Sequence, residues 1–374
     1  MRPNRWGLFD GAKIARALPK TARVDPREFA RREVERGAHI LALGRGNTVL
    51  MTLRGESKSI GWTDKTAIEE AFGIRYDAAE GTSFSSADER SGERYELIYL
   101  GREEGLGSRS YFALDLARHE LLSSPKSGFG EIRSFLKSRD DLLGSEEGAS
   151  VSRAGYALAL RNWGKGIRFC PSCGSATRST QIGTRKECTD CGKKQYPRLD
   201  PVAICLVVSQ DGSHALLGSP RYASGRMLTC LAGFIEQCET IEEAVVREIE
   251  EESGVQVDQV QLLGSQPWPL GRSGACELMI GCVARAKSNP ETRDLIVDQE
   301  ELNSASWVPK EVVAQKLAKS KARRRKSGKP GELETWIVPP YAIAHHLIDH
   351  WINGDNEDVS RLSKVVARSE ASRL

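Results

Sequence analysis

Gly233-Phe234-Ile235-Glu236-Gln237-Cys238-Glu239-Thr240-Ile241-Glu242-Glu243-Ala244-Val245-Val246-Arg247-Glu248-Ile249-Glu250-Glu251-Glu252-Ser253-Gly254-Val255 reads as a loop, a helix and a stop. Thr240 followed three residues later by Glu243 forms a capping box, in which each side chain satisfies a backbone N–H at the helix start. Ile241, Ala244, Val245 and Ile249 recur at helical spacing and predict an apolar stripe for a core. Gly254 suits the left-handed turn that ends a helix. Glu248 and Glu252 are four apart and Glu251 is three from Glu248, so all three carboxylates share one face. Like charges this close repel by a few tenths of a kcal/mol per pair on an exposed helix. That cost makes sense if divalent cations sit among them: Mg²⁺ and Mn²⁺ are hard ions that take carboxylate oxygens and bridge phosphate oxygens. The simpler alternative is a solvated acidic face. Gly233 predicts close backbone approach, and Arg247 predicts a bidentate pair with a carboxylate.

Upstream, Cys170-x-x-Cys173 and Cys188-x-x-Cys191 are followed directly by Gly174 and Gly192. Each turn lets two thiolates converge on one ion, and two turns complete a tetrahedron, so these four cysteines predict one structural Zn²⁺ per chain. A pair of redox dithiols is the alternative. The nine cysteines of the 374-residue chain include these four and five scattered ones. With no signal peptide, that usage favours a reducing compartment over a disulfide framework.

Net charge is only +3, which gives no whole-molecule case for nucleic-acid binding, and hydrophobic residues at 39% support a folded chain. No apolar run is long enough for a membrane span. The basic start of the chain has no apolar centre, and Asp10 argues against a transit segment. Residues 1–150 alternate apolar runs (His39–Leu43, Thr48–Met51, Tyr95–Leu100, Tyr111–Leu114) with turns and predict an antiparallel or mixed sheet. Ser145–Ser152 reads as a polar boundary, with a helix carrying Tyr156, Leu158, Leu160 and Trp163 after it. Ala203–Val208 reads as a buried strand. Lys316–Lys329 holds eight basic residues and reads as a solvated loop, with a phosphate or nucleic-acid contact as the alternative. Ser372-Arg373-Leu374 differs from a peroxisomal address only by Lys→Arg, which implies an import receptor as partner.

The segment from Gly233 to Val255 follows Gly-x5-Glu-x7-Arg-Glu-Ile-x-Glu-Glu-x-Gly-Val and resembles the Nudix box. Phe169-Cys170 with the cysteine pairs, Tyr196-Pro197-Arg198, Leu231–Glu236 and Ser265-Gln266-Pro267-Trp268-Pro269 together resemble the NADH pyrophosphatase (NudC-type) subfamily. The resemblance covers about residues 155–350. It implies an α+β chain: an N-terminal mixed α/β domain over 1–150, a zinc ribbon over 166–198, a Nudix α/β/α sandwich with a mixed sheet over 199–352, and a polar tail over 353–374. The implied activity is hydrolysis of the pyrophosphate bond of NADH, with NAD⁺ and related dinucleotides as further substrates. Glu248, Glu251, Glu252 and Arg247 take the catalytic positions. Glu248, Glu251, Glu252 and Glu301 take the Mg²⁺ or Mn²⁺ positions. Tyr196, Ala232, Phe234, Gln266, Pro267, Trp268, Pro269 and Ala344 match substrate contacts, with Tyr196 and Phe234 able to stack on a flat base in a homodimer. Removal of the NAD cap from RNA is the second reading, and a nucleic-acid-binding zinc-ribbon protein with an inactive Nudix domain is a third. Three positions depart from the subfamily. The run Leu270–Glu277 is about four residues longer and resembles eukaryotic peroxisomal members, Gly183 replaces a substrate-contacting Glu, and Cys238 replaces a common glycine.

Overall fold

A computed structural model of the chain describes residues 14–15, 19, 25–54, 57–87, 93–103, 108–119, 128–137, 142, 145–223, 225–290, 295–325 and 334–353. The tail carrying Ser372, Arg373 and Leu374 lies outside the described residues. Among them, no helix is long and apolar enough to cross a membrane. They divide into two compact units, one up to Asp200 together with 266–278, the other from 201–265 and 279–353.

The first unit is built on a ten-stranded sheet. Its predicted strands are present as His39–Leu43, Thr48–Arg54, Arg94–Glu103 and Ser110–Asp115. The sheet is mixed: His39–Leu43 runs parallel to Ser110–Asp115, whereas Arg94–Glu103 is antiparallel to the latter. One face buries Ile40, Leu97, Tyr99, Phe112 and Leu114 against Phe29, Ala30 and Val34 of the helix Pro26–Glu35 and Ile68 and Phe72 of the helix Lys65–Phe72. Burying one such large apolar side chain contributes roughly 1.5–3 kcal/mol.

The stretch with the cysteine pairs clusters with this same unit. Its three strands, Thr177–Thr180, Arg185–Cys188 and Lys194–Gln195, are antiparallel. The turn joining the first two places Gln181, Ile182 and Gly183 at φ of 50°, 53° and 75°. A left-handed conformation costs a β-branched residue on the order of 1–2 kcal/mol. The cost is offset because Ile182 is buried in the sheet's core and its carbonyl accepts the Tyr99 N–H at 2.9 Å. Gly183 packs so closely that a Cβ there would lie 3.1 Å from the Ile98 side chain.

Ser145–Ser152 is not a boundary. Ser145 caps a helix, Glu146–Gly166, by accepting the Gly148 N–H at 3.0 Å. Gly148 sits in that helix because the Leu142 carbonyl lies where its Cβ would be. The glycine and serines that resemble a linker are thus a cap and a close contact.

The second unit is a six-stranded sheet between helices. Strand alternation in Leu199–Val208 decides its two cores. Ile204, Leu206 and Val208 face Val313 and Leu317 of the helix Lys310–Arg325 and Ile343, Leu347 and Ile348 of the helix Ile343–Asn353. Ala203, Cys205 and Val207 face Ala244, Val245 and Ile249 of the helix Ile241–Ser253. Helices on both faces of one sheet make the expected α/β/α sandwich. Lys316–Arg325, expected as loop, is the second half of a helix, because Val313 and Leu317 supply a buried edge four residues apart. Lys326–Lys329 lies outside the described residues.

Truncating the strained turn residue, Ile182→Ala, should lower the unfolding free energy by about 2–4 kcal/mol in a urea titration. A loss under about 0.5 kcal/mol, the scale of a surface substitution, would mean the turn is not seated in the core.

Candidate active site and metal centre

The strand Leu231–Phe234 pairs antiparallel with Leu199–Val208, setting Ala203 opposite Gly233 and Ile204 opposite Ala232. Alternation therefore points Gly233 toward the helix Ile241–Ser253 and Ala232 toward the other face. On the helix side, a Cβ on Gly233 would fall on the Glu248 carboxylate. Glycine is required here for space, since the strand's backbone is extended.

The helix begins with both halves of the capping box: the Glu243 N–H donates to Thr240 Oγ1 at 3.2 Å, and the Thr240 N–H to Glu243 Oε2 at 2.8 Å. It ends at Gly254, φ 71°. Its last carbonyls are satisfied from outside, Ser253 by the Ile296 N–H and Glu252 by the Asp298 N–H at 3.1 Å. Those two bonds tie the segment leading to Glu301 onto the helix.

Arg247 organises the carboxylates. Its guanidinium forms the bidentate pair with Glu239, Nε to Oε1 at 2.7 Å and Nη2 to Oε2 at 2.9 Å. Nη1 donates to Glu248 at 2.8 Å and to Glu251 at 3.0 Å, and Nη2 also donates to the Phe234 carbonyl at 2.9 Å. One side chain thus joins the loop, the strand and the helix. The Arg247 guanidinium holds the Glu239 carboxyl down at about 2. Glu248 moves the other way. Burial pushes its carboxyl above the ordinary value, Arg247 pulls it back, and the charges of Glu251 and Glu301 push it up again. Glu239, paired most closely with Arg247, was not singled out from the sequence, although the Gly-x5-Glu spacing contains it.

The three helix glutamates differ in exposure. Glu252 is buried, the Glu248 side chain is 13% exposed and that of Glu251 59%. Glu301 is exposed at the start of the strand Leu302–Pro309. Glu239, Glu248 and Glu251 pair with the single guanidinium of Arg247, and among the described residues these carboxylates, with those of Glu252 and Glu301, are not drawn together at ligand spacing. Their oxygens are donors of the kind that hard divalent ions take. Within this unit Ala232 and the buried Ala344 pack into the core on the opposite sheet face from the helix Ile241–Ser253. Phe234 is 37% exposed.

The remaining sequence-predicted residues belong to the first unit. Tyr196 is 64% exposed and Gln266 is buried. Pro269 is buried, and Pro267 and Trp268 are half-buried. The four thiols of Cys170, Cys173, Cys188 and Cys191 lie within 4.8 Å of one another, with Cys173 Sγ 3.5 Å from both Cys188 Sγ and Cys191 Sγ. A tetrahedron with metal–sulfur bonds of about 2.3 Å has edges of about 3.8 Å, so the sulfurs already stand at ligand spacing. Gly174 and Gly192 take φ of 76° and 68°, the left-handed turn each knuckle needs. Donation from Ser175 lowers the Cys173 thiol, whereas at Cys191 donation from the Lys193 backbone is outweighed by the neighbouring thiols, Cys173 foremost, which raise it, so the tetrad titrates as a unit. Among the described residues, this is the one group of potential ligands gathered so tightly.

Two outcomes are expected. Gly233→Ala should cost about 1–3 kcal/mol in urea unfolding, as overpacking does, and adding Glu248→Ala should recover most of it. Independent effects would rule out the close approach. For Glu239, a carboxyl near 2 in the fold and near its ordinary value when unfolded stabilises the fold fully above about pH 5 and loses that contribution as pH falls toward 2. The Tm gap between the wild type and Glu239→Gln should therefore be widest at neutral pH and close in acid. A gap constant with pH would contradict the pairing.

Comparison with known proteins agrees with this geometry. A NUDIX domain model matches residues 198–328. The chain is 40% identical over 298 residues to Nudix hydrolase 19, chloroplastic, of Arabidopsis thaliana, covering 70% of this chain and 66% of that protein. It is 42% identical over 219 residues to the NAD-capped RNA hydrolase NUDT12 of Homo sapiens, covering 56% of this chain and 43% of that protein. It is 35% identical over 253 residues to the NAD(P)H pyrophosphatase NUDT13, mitochondrial, of Mus musculus, covering 65% of this chain and 68% of that protein. The aligned stretch thus spans less than half the length of the human relative. Two of these names place their proteins in the chloroplast and the mitochondrion, so the peroxisomal expectation draws no support from them. With the box, the sandwich and these relatives together, the chain belongs to the Nudix hydrolases, in the NudC-type branch.

Proposed function

We propose that the chain hydrolyses the pyrophosphate bond of NADH to reduced nicotinamide mononucleotide and AMP, with NAD⁺ and related dinucleotides as further substrates. The observation that carries this reading is the glutamate-rich helix face organised by Arg247 and closed by Gly233 against Glu248. Glu248, Glu251, Glu252 and Glu301 are the proposed holders of Mg²⁺ or Mn²⁺. Such ions, when bound, would neutralise charge on the diphosphate and lower the pKa of a water so that it can be deprotonated for attack at phosphorus. Glu251, the most exposed of the three helix glutamates, is a third holder of the ion or the group that takes a proton from that water. Arg247 keeps Glu248 and Glu251 in place as charge builds on the phosphate oxygens. Tyr196 and Phe234 are proposed to stack on the flat base, and Gln266, Pro267, Trp268 and Pro269, with Ala232 and Ala344, to select the dinucleotide. Cys170, Cys173, Cys188 and Cys191 are the proposed holders of one Zn²⁺. Four protein sulfurs leave no open position, so that ion would be structural. The resemblance also supports a homodimer.

The name of the human relative favours a second reading, removal of the NAD cap from RNA. Both readings use the same bond and the same glutamates, and they differ in what lies beyond the adenosine.

Purified chain with Mg²⁺ or Mn²⁺ should cleave NADH at least as fast as NAD⁺, ADP-ribose or NAD-capped RNA at equal concentration. A tenfold preference for ADP-ribose would overturn the dinucleotide assignment, and one for the RNA would establish the second reading. Glu252→Gln should lose about 10²–10³-fold in kcat, the cost of removing one transition-state stabilising group, while remaining folded. Retained turnover would remove Glu252 from the machinery.

A further inference from the structure

The sequence marks no functional residue among the first 150 positions. In the structure, Arg133 reaches the segment that carries Gln266, Pro267 and Trp268. Its Nη2 donates to the Leu270 carbonyl at 3.1 Å, and its guanidinium lies over the Trp268 ring, 5.7 Å from the centroid. Both residues belong to the first unit.

Arg133 lies in the first turn of the short helix Ile132–Lys137, whose buried Ile132, Phe135 and Leu136 anchor it in that unit. The Glu131 carboxylate accepts the Arg133 N–H at 3.0 Å and the Ser134 N–H at 2.5 Å. The segment around Trp268 is also ordered from its far side. Leu270 and Glu277 are buried, and Glu277 accepts the Arg272 N–H at 2.8 Å. Gly271 is needed for space, because a Cβ there would lie 2.7 Å from the Glu277 side chain. Gly274, φ 75°, rests against Asn162 of the helix Glu146–Gly166. The longer run Leu270–Glu277 is therefore a folded loop, and Arg133 touches both its first residue, through the Leu270 carbonyl, and the Trp268 indole just ahead of it.

We propose that Arg133 is a positioning residue for substrate selection: through the hydrogen bond to Leu270 and the stack on Trp268, the N-terminal unit sets which dinucleotide the chain accepts. The proposal rests on the reading that Gln266–Pro269 contacts the substrate. A planar guanidinium can donate along its edge and stack with its face at once, which an ammonium cannot. The clamp keeps the Trp268 ring in one orientation before substrate arrives, so its loss raises KM and leaves the chemical step, carried by the glutamates, unchanged.

The test uses the full chain as wild type, Arg133→Ala and Arg133→Lys. Hydrogen exchange of peptides covering 266–278 reads the clamp without catalysis, and KM and kcat for NADH and ADP-ribose read selection. Arg133→Ala should speed exchange in that segment at least tenfold and raise KM for NADH about tenfold with kcat within twofold. The ratio of kcat/KM for NADH over ADP-ribose should fall by the same factor. Arg133→Lys, which keeps charge and one donor, should fall between the two and serves as the readout if Arg133→Ala does not fold. Unchanged exchange, or an equal loss on both substrates, overturns the proposal. If the wild type cleaves no NADH, the proposed function fails by itself, and the exchange result still decides whether the clamp exists.

Discussion

One approach governs the second unit: the backbone of Gly233 lies so near the Glu248 carboxylate that no side chain fits between them. A carboxylate pressed against a strand would be costly unless something shares its charge. Arg247, the preceding residue, does so, and spends its remaining donors on Glu239, Glu251 and the Phe234 carbonyl. Loop, strand and helix are thereby fixed to one another by a single planar cation. Replacing it with lysine would keep the charge but lose the fork that serves several oxygens at once.

The approach is possible because the strand Leu199–Val208 is buried on both faces. Its alternating residues supply two cores, one under the glutamate helix and one under the helices Lys310–Arg325 and Ile343–Asn353. Gly233 stands on the glutamate face because it pairs with Ala203, and Ala232 is turned away because it pairs with Ile204. A one-residue slip in that pairing would exchange the two and put a methyl group where the carboxylate sits.

Legibility in the sequence followed the range of the interactions. The capping box at Thr240 and Glu243, the stop at Gly254 and the shared helix of Glu248, Glu251 and Glu252 are local, and spacing alone gave them. The thiol tetrad was readable for the same reason: two CxxC turns can converge in few ways. Local signals mislead where tertiary contacts outweigh them. Ser145–Ser152 has the polar composition of a boundary, yet its Gly148 is a helical residue pressed on the Leu142 carbonyl. Lys316–Arg325 looked like a solvated loop because its charge hid the buried edge of Val313 and Leu317. Ile182 carries no turn signal, since only the hydrophobic core of the neighbouring sheet holds it at positive φ. Arg133 could not be singled out, because its partners Trp268 and Leu270 are more than a hundred residues away in the chain.

The central claim is that the carboxylates on the helix Ile241–Ser253 hold divalent ions at the diphosphate. The most direct measurement is Mn²⁺ binding to the full chain by electron paramagnetic resonance, with and without a non-hydrolysable dinucleotide, in wild type and Glu248→Gln. The account predicts binding that tightens when the dinucleotide is present and weakens at least tenfold in the variant. Equal Mn²⁺ affinity in both proteins, or none in the wild type with dinucleotide bound, would contradict it.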